Sequence, residues 1–182
     1  MVRFRKDAMA LTIVGAVLGL SCAIAAAQTS AAKSAEPASN KRWSNTIGDW
    51  IVACGQDDQA KVCALGQTLS DAETKRVVAA WSFIKGAGDK INIALRGPLG
   101  VALSVGVQVA IDAEKPFTVA YETCSSVGCI ANFETTPALL AQLRKASKVS
   151  VVFQGAQGRP LSVDFQMRGF SKAYDTYLQE VK

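Results

Sequence analysis

Four cysteines carry the first chemistry to weigh in this chain: Cys54, Cys63, Cys124 and Cys129, spaced as C-x8-C and C-x4-C. Thiols can hold zinc, exchange electrons as a redox pair, or close into structural bridges. Zinc sites recruit cysteine and histidine at characteristic short spacings, which these two intervals fit poorly, and the chain has no histidine. A thioredoxin-like pair uses C-x-x-C at the start of a helix, where the dipole lowers a thiol pKa. Four residues separate Cys124 from Cys129, and the segment Ile130 to Glu134 reads as a strand. A fifth, Cys22, lies in the N-terminal targeting segment; the four outside it are an even set, which in an oxidising compartment points instead to disulfides, with three connectivities possible. The short spacings favour Cys54–Cys63, across the turn-like Gly-Gln-Asp-Asp-Gln, and Cys124–Cys129, across Ser125-Ser126-Val127-Gly128. Loop entropy gives each bridge about 2–3 kcal/mol. Thiol–disulfide chemistry at Cys124 and Cys129 stands as the competing reading.

Other reactive constellations are thin. A hydrolase triad needs a base, most often histidine. The S-x-x-K spacing of Ser30 to Lys33 lies in a small-residue stretch. Gly86-Ala87-Gly88 reads as a hairpin loop and not as a phosphate cradle. Asp57-Asp58 and Asp112 with Glu114 fall in turns without EF-hand spacing, so they read as loop solvation. Trp43, Trp50 and Trp81 could form a ligand platform, but their strand positions favour packing. Arg144, Lys145 and Lys148 read as the solvated end of a helix. No catalytic residue, metal or cofactor is expected.

The elements that must position these residues begin after a targeting segment. Arg3, Arg5 and Lys6 precede an uncharged apolar run from Ala8 to Ile24, which closes on Ala25-Ala26-Ala27. A basic start, an apolar middle and small residues at the exit read as a signal peptide over residues 1–27. An uncleaved anchor is disfavoured by the short, glycine-interrupted run, and lipidation at Cys22 by a poor lipobox. Cleavage removes three basic residues and one acid, so the formal charge of +5 falls to +3. That residue of charge is no nucleic-acid footprint. Residues 28–42 are small and polar and read as a flexible linker. Trp43 then opens a single domain over residues 43–182.

Within that domain, period-2 alternation dominates. It predicts strands over Trp50 to Cys54, Val62 to Leu69, Arg76 to Lys85, Ile91 to Leu95, Val101 to Asp112, Phe117 to Thr123, Ile130 to Glu134, Val149 to Phe153 and Leu161 to Met167. Val77 to Phe83 is apolar on both faces and reads as a central strand covered on each side. Gly97-Pro98-Leu99-Gly100 reads as a type I turn. One helix is predicted behind Thr136 as N-cap and Pro137. A C-terminal helix follows, capped by Ser171, with Tyr174, Tyr177, Leu178 and Val181 on one face. The fold class is mainly β: an antiparallel β-sandwich with one or two short helices, the C-terminal one docked across it.

The cysteine frame and its flanks resemble the invasion-associated locus B family of bacterial exported proteins. The resemblance is carried by Gly48-Asp49-Trp50-Ile51-Val52-Ala53-Cys54, then Cys63 and Gln67, then Pro98-Leu99-Gly100 and Gly106-Val107. It continues through Cys124 to Cys129, with Gly128 before the second cysteine, and Arg168-Gly169-Phe170-Ser171-Lys172-Ala173-Tyr174. It implies a periplasmic or secreted β-rich domain with two disulfides, linked in some pathogens to adherence to or invasion of host cells, and it brings no catalytic residues. The expected function is a non-enzymatic interaction protein of the envelope or its surroundings. Its expected partner is a protein or envelope component, with no nucleic acid and no membrane span in the mature chain. The alternatives are a periplasmic thiol–disulfide enzyme at Cys124 and Cys129, or a small-ligand binder with a pocket lined by Trp50 or Trp81.

Overall fold

The strands pair into two antiparallel sheets, described here from a computed structural model over residues 41–56, 60–86, 88 and 90–182. The signal segment, the linker as far as residue 40 and the pair Asp57-Asp58 lie outside the described residues. The larger sheet has seven strands: β1 (Lys41–Ile47), β2 (Trp50–Gln56), β3 (Lys61–Ser70), β4 (Val77–Lys85), β5 (Ile91–Gly97), β8 (Thr123–Ser125) and β9 (Gly128–Glu134), in the order β1-β2-β3-β4-β5-β9-β8. The smaller has four: β6 (Val107–Ile111), β7 (Phe117–Val119), β10 (Lys148–Gln154) and β11 (Pro160–Gln166), in the order β11-β10-β6-β7. Among the described residues two α-helices complete the fold, α1 (Pro137–Lys145) and α2 (Phe170–Glu180). The protein is therefore a mainly β sandwich with a C-terminal helix, as its alternation predicts.

Alternation decides which face each strand buries. In the large sheet Trp50, Val52, Leu65, Trp81, Phe83, Ile93 and Leu95 turn inward and are almost wholly buried. In the small sheet Val107, Val109, Val149, Val151, Phe153 and Phe165 meet them. The Trp81 and Phe165 rings, on opposite sheets, meet edge to face at 5.6 Å between centroids. The amphipathic α2 lays Phe170, Ala173, Tyr174 and Tyr177 on the same core. Thr136 caps α1 through its hydroxyl, which accepts from the Leu139 N–H at 3.1 Å, with Pro137 as the first helical residue.

Five local expectations are corrected. Lys41 and Arg42, read as linker, are the first residues of β1, an edge strand with little apolar signal that forms by pairing along its whole length with β2. The expected strand from Val101 to Asp112 begins only at Val107. Leu103–Val105 is a 3-10 turn, and Gly106 takes a φ of 70°, so Leu103 and Val105 face solvent while the chain passes from one sheet to the other. Phe117 to Thr123 splits for the same reason: β7 lies in the small sheet and β8 in the large one. Val77 to Phe83 does lie in the central strand, but its second face is only partly covered, with Ile84 beyond it exposed. Finally, α2 is capped by Gly169 at a φ of 85°, not by Ser171, whose hydroxyl donates to the Arg144 carbonyl at 3.2 Å.

Candidate functional site

The two cysteine pairs sit at directly opposed positions of neighbouring strands. Cys54 and Cys63 face each other across β2 and β3 with their sulfurs 2.08 Å apart. Cys124 and Cys129 do so across β8 and β9 at 2.11 Å. In an antiparallel pair such opposed side chains project to the same face, which is what lets a short loop close a bridge. Their surroundings differ. Cys54 and Cys63 are buried beneath the end of α2, where a Glu180 carboxylate oxygen lies 4.0 Å from Cys54 Sγ and its carbonyl 3.9 Å from Cys63 Sγ. Sulfurs bonded to each other lack the thiolate a metal needs, so this trio of Cys54, Cys63 and Glu180 is no metal centre while the disulfide stands. Cys124 is exposed and Cys129 is buried. The second pair closes a β-hairpin and is followed by strand, so no helix dipole bears on it.

A second cluster knits the sheets together at the start of β2. Trp50 Nε1 donates to the Gln166 carbonyl at 3.1 Å. The buried Gln67 amide donates to the same carbonyl at 3.1 Å and to the Asp49 carbonyl at 2.9 Å. Arg168 grips Asp49 in a two-point ion pair at 2.6 and 3.2 Å. Around them Gly48, at a φ of 64°, and Gly169 lie so close that a Cβ on Gly169 would stand 2.5 Å from the Ile47 carbonyl oxygen. Only glycine fits both the left-handed backbone and that approach. The segments Gly48-Asp49-Trp50, Gln67 and Arg168-Gly169-Phe170, which carry the sequence resemblance, thus meet at one structural joint.

The tryptophans and charged residues divide into framework and surface. Trp50 and Trp81 are sealed at 0% and 1% exposure, so neither can line an open ligand pocket. That overturns the intersheet pocket expected around them. Trp43 is half-buried, with Lys41 and Lys61 at 5.8 and 5.2 Å from its ring. The Asp112 carboxylate accepts from the Ser147 and Lys148 N–H groups, so it fastens the start of β10, and Glu114 turns the chain through its own N–H. Arg144 pairs with Asp175, whose carboxyl is held below the usual range by that hydrogen bond. Lys148 pairs with Asp164 at 2.9 Å.

Sequence reasoning missed the outer face of the large sheet. Ile51, Val62 and Ile84 stand 44%, 65% and 40% exposed there. Register places them on one side with Ala53, Ala64, Gly66 and Ser82 between them. The available signal was that the second face of β2 to β4 is small and apolar instead of charged. The face thus presents exposed apolar side chains with small ones between them.

The family model described as "Invasion associated locus B (IalB) protein" matches residues 50–177. Among solved structures, the chain is similar to invasion associated protein b from Bartonella henselae, at 26% identity and a TM-score of 0.67. That similarity covers 75% of this chain and 95% of the other. A search of the curated proteins found no match. The match spans the paired cysteines, the Trp50–Gln67–Gln166 joint and most of α2. The chain belongs to the invasion associated locus B family.

Proposed function

We propose that this chain is an exported, non-enzymatic interaction protein of the cell envelope or its surroundings. It acts by presenting the outer face of its large sheet to a protein or envelope partner. The observation that carries this reading is the strip of Ile51, Val62 and Ile84 on a face of small residues. Exposed apolar surface has a hydration cost that contact with a partner removes. Export is supported by two disulfides, which persist in oxidising compartments, and by the signal-like residues 1–27. No helix among the described residues is long and apolar enough to cross a membrane. The similar Bartonella henselae protein is named as invasion associated, and on that name the proposal extends to a role in invasion.

The test is capture from an envelope extract with the mature protein and with an Ile51→Lys, Ile84→Glu double variant. A partner recovered by the first and lost with the second supports the reading; equal recovery by both rejects the face. Fractionation with intact mass is expected to find a chain without residues 1–27, lacking the hydrogens of two thiol pairs, outside the cytoplasm.

One observation favours a second reading, thiol–disulfide exchange: Cys124 is reachable while Cys129 is buried behind it. Insulin-reductase or isomerase activity that vanishes on Cys124→Ser would establish it in place of the first.

A further inference from the structure

Away from the outer face of the large sheet, four large apolar side chains, Leu99, Leu103, Val105 and Val127, stand more than half exposed on two loops. Both loops lie at one end of the sandwich. Residues 97–106 carry the chain from β5 to β6, residues 125–128 turn β8 into β9, and the pairing of Gly97 with Cys129 brings the two together. The β10–β11 turn adjoins them: the Ala102 N–H donates to the Gln154 carbonyl at 2.7 Å, and the Ala156 N–H to the Gly100 carbonyl at 2.8 Å. Across residues 97–106, 125–128 and 155–159 there is no acidic residue, and the one charge is Arg159. Arg96, whose side chain runs against Gly128, adds a second cation. Glu122, the acid before the second loop, is engaged by the Asn132 amide. Buried Val101, bridged to Gly155, anchors the first loop between Leu99 and Leu103. Beyond it the N–H groups of Val105 and Gly106 donate to the Ala102 and Leu103 carbonyls, both at 3.3 Å. The apolar tips are thus held outward by a braced backbone.

We infer that this end of the sandwich docks on a lipid bilayer with anionic head groups. Leu99, Leu103, Val105 and Val127 enter the acyl boundary, and Arg96 and Arg159 lie among the phosphates. Three features favour a bilayer over a protein partner. The apolar side chains sit on separate turns instead of lining one groove, and fluid acyl chains fill the space between such tips, whereas a protein must match each with its own hollow. The two flanking charges share one sign, which suits an anionic surface. The bonded N–H groups of Ala102, Val105, Gly106 and Ala156 lose no water on shallow entry, so the desolvation cost is small. The inference stands whether or not the outer sheet face takes a partner.

Flotation of the mature, disulfide-intact protein with vesicles tests it, using equal parts of phosphatidylglycerol and phosphatidylethanolamine, with phosphatidylcholine as the neutral control. Saturable binding to the anionic vesicles is expected. A Leu99→Ser, Leu103→Ser double variant should keep its melting temperature, because both side chains are exposed, and bind about tenfold more weakly or worse. Arg159→Gln should weaken binding to anionic vesicles about fivefold at low salt and leave any binding to neutral ones unchanged. A Leu103→Trp variant should show blue-shifted emission that brominated acyl chains quench. The Ile51→Lys, Ile84→Glu variant should bind as wild type does; a loss there would move the contact to the outer sheet face and overturn the proposal. Absence of saturable binding to anionic vesicles also overturns it, as does equal binding by wild type and the Leu99, Leu103 variant. So does self-association without lipid that this variant abolishes, which would assign the loops to a second copy of the chain.

Discussion

Trp50 and Gln67, on adjacent strands of the large sheet, donate to one and the same acceptor, the Gln166 carbonyl at the end of β11, each at 3.1 Å. Two side chains from one sheet thereby fasten the last residue of a strand in the other. A carbonyl oxygen has two lone pairs, so both bonds can form together. Gln67→Leu keeps the approximate volume but strips the Asp49 carbonyl of its amide donor. It is expected to cost about 1–3 kcal/mol in urea unfolding. A loss below a few tenths would show that the joint carries no weight.

Gly169 makes a sharper prediction. Its φ of 85° and the Ile47 carbonyl oxygen 2.5 Å from where a Cβ would sit leave no relaxed place for alanine. Gly169→Ala should lower stability by at least about 2 kcal/mol. Gly158, at a φ of 81° but with open space around it, provides the control: Gly158→Ala should cost about 1 kcal/mol. Equal melting temperatures for the two variants would contradict this account.

The disulfides should separate by access. Cys124 is exposed, whereas Cys54 and Cys63 are both buried under α2. Brief treatment with dithiothreitol, alkylation and mass analysis should find Cys124–Cys129 opened first. Replacing either pair by alanines should cost about 2–3 kcal/mol, with slightly more for the longer Cys54–Cys63 loop. Simultaneous opening of both pairs would argue that global unfolding, not exposure, controls reduction.

All three tyrosines should resist ionisation in the folded protein. Burial pushes the Tyr177 phenol up to about 12, against a smaller opposing pull from the Lys85 backbone, and raises Tyr121 and Tyr174 as well. The folded state then holds phenolic protons that the unfolded chain releases near 10. Stability from this source is complete below that value and drains away as pH rises towards 12. Absorbance at the phenolate band should stay flat near pH 10 and rise together with alkaline unfolding.

At the acid end, the Ser150 hydroxyl and then Lys148 hold the Asp164 carboxyl below its usual value of 3.8. A depressed carboxyl contributes stability above the unfolded value and loses it as pH falls through the folded one. Asp164→Asn should therefore be less stable than wild type at neutral pH. The gap should close well below pH 3.8, as read from urea midpoints. A gap that is constant with pH would place the effect in packing and not in charge.

Local signals made much of the frame legible. Thr136 and Pro137 announce α1, since a capping hydroxyl and a missing N–H act within one turn. The alternation in Ile91 to Leu95 and Leu161 to Met167 marks strands because a pleat repeats every two residues. Where the chain changes sheets, that logic fails. Val101 to Gly106 continues the alternating pattern in sequence, yet Gly106 bends it away and leaves Leu103 and Val105 in solvent. β1 shows the opposite failure, a polar segment made into a strand by its neighbour.

From the sequence by itself came the pleated sandwich class, the terminal helix and the family signature, because residue type and spacing act over one turn or one pleat. Only the folded chain decided that Gly48, Gln67 and Gly169 meet at one joint and that Trp50 and Trp81 are sealed away. It alone showed that Ile51, Val62 and Ile84 share an open face and that Leu99, Leu103, Val127 and Arg159 gather at one end of the sandwich. Those groupings join residues tens of positions apart, and sheet order and register set them. No short-range pattern encodes which strand becomes whose neighbour.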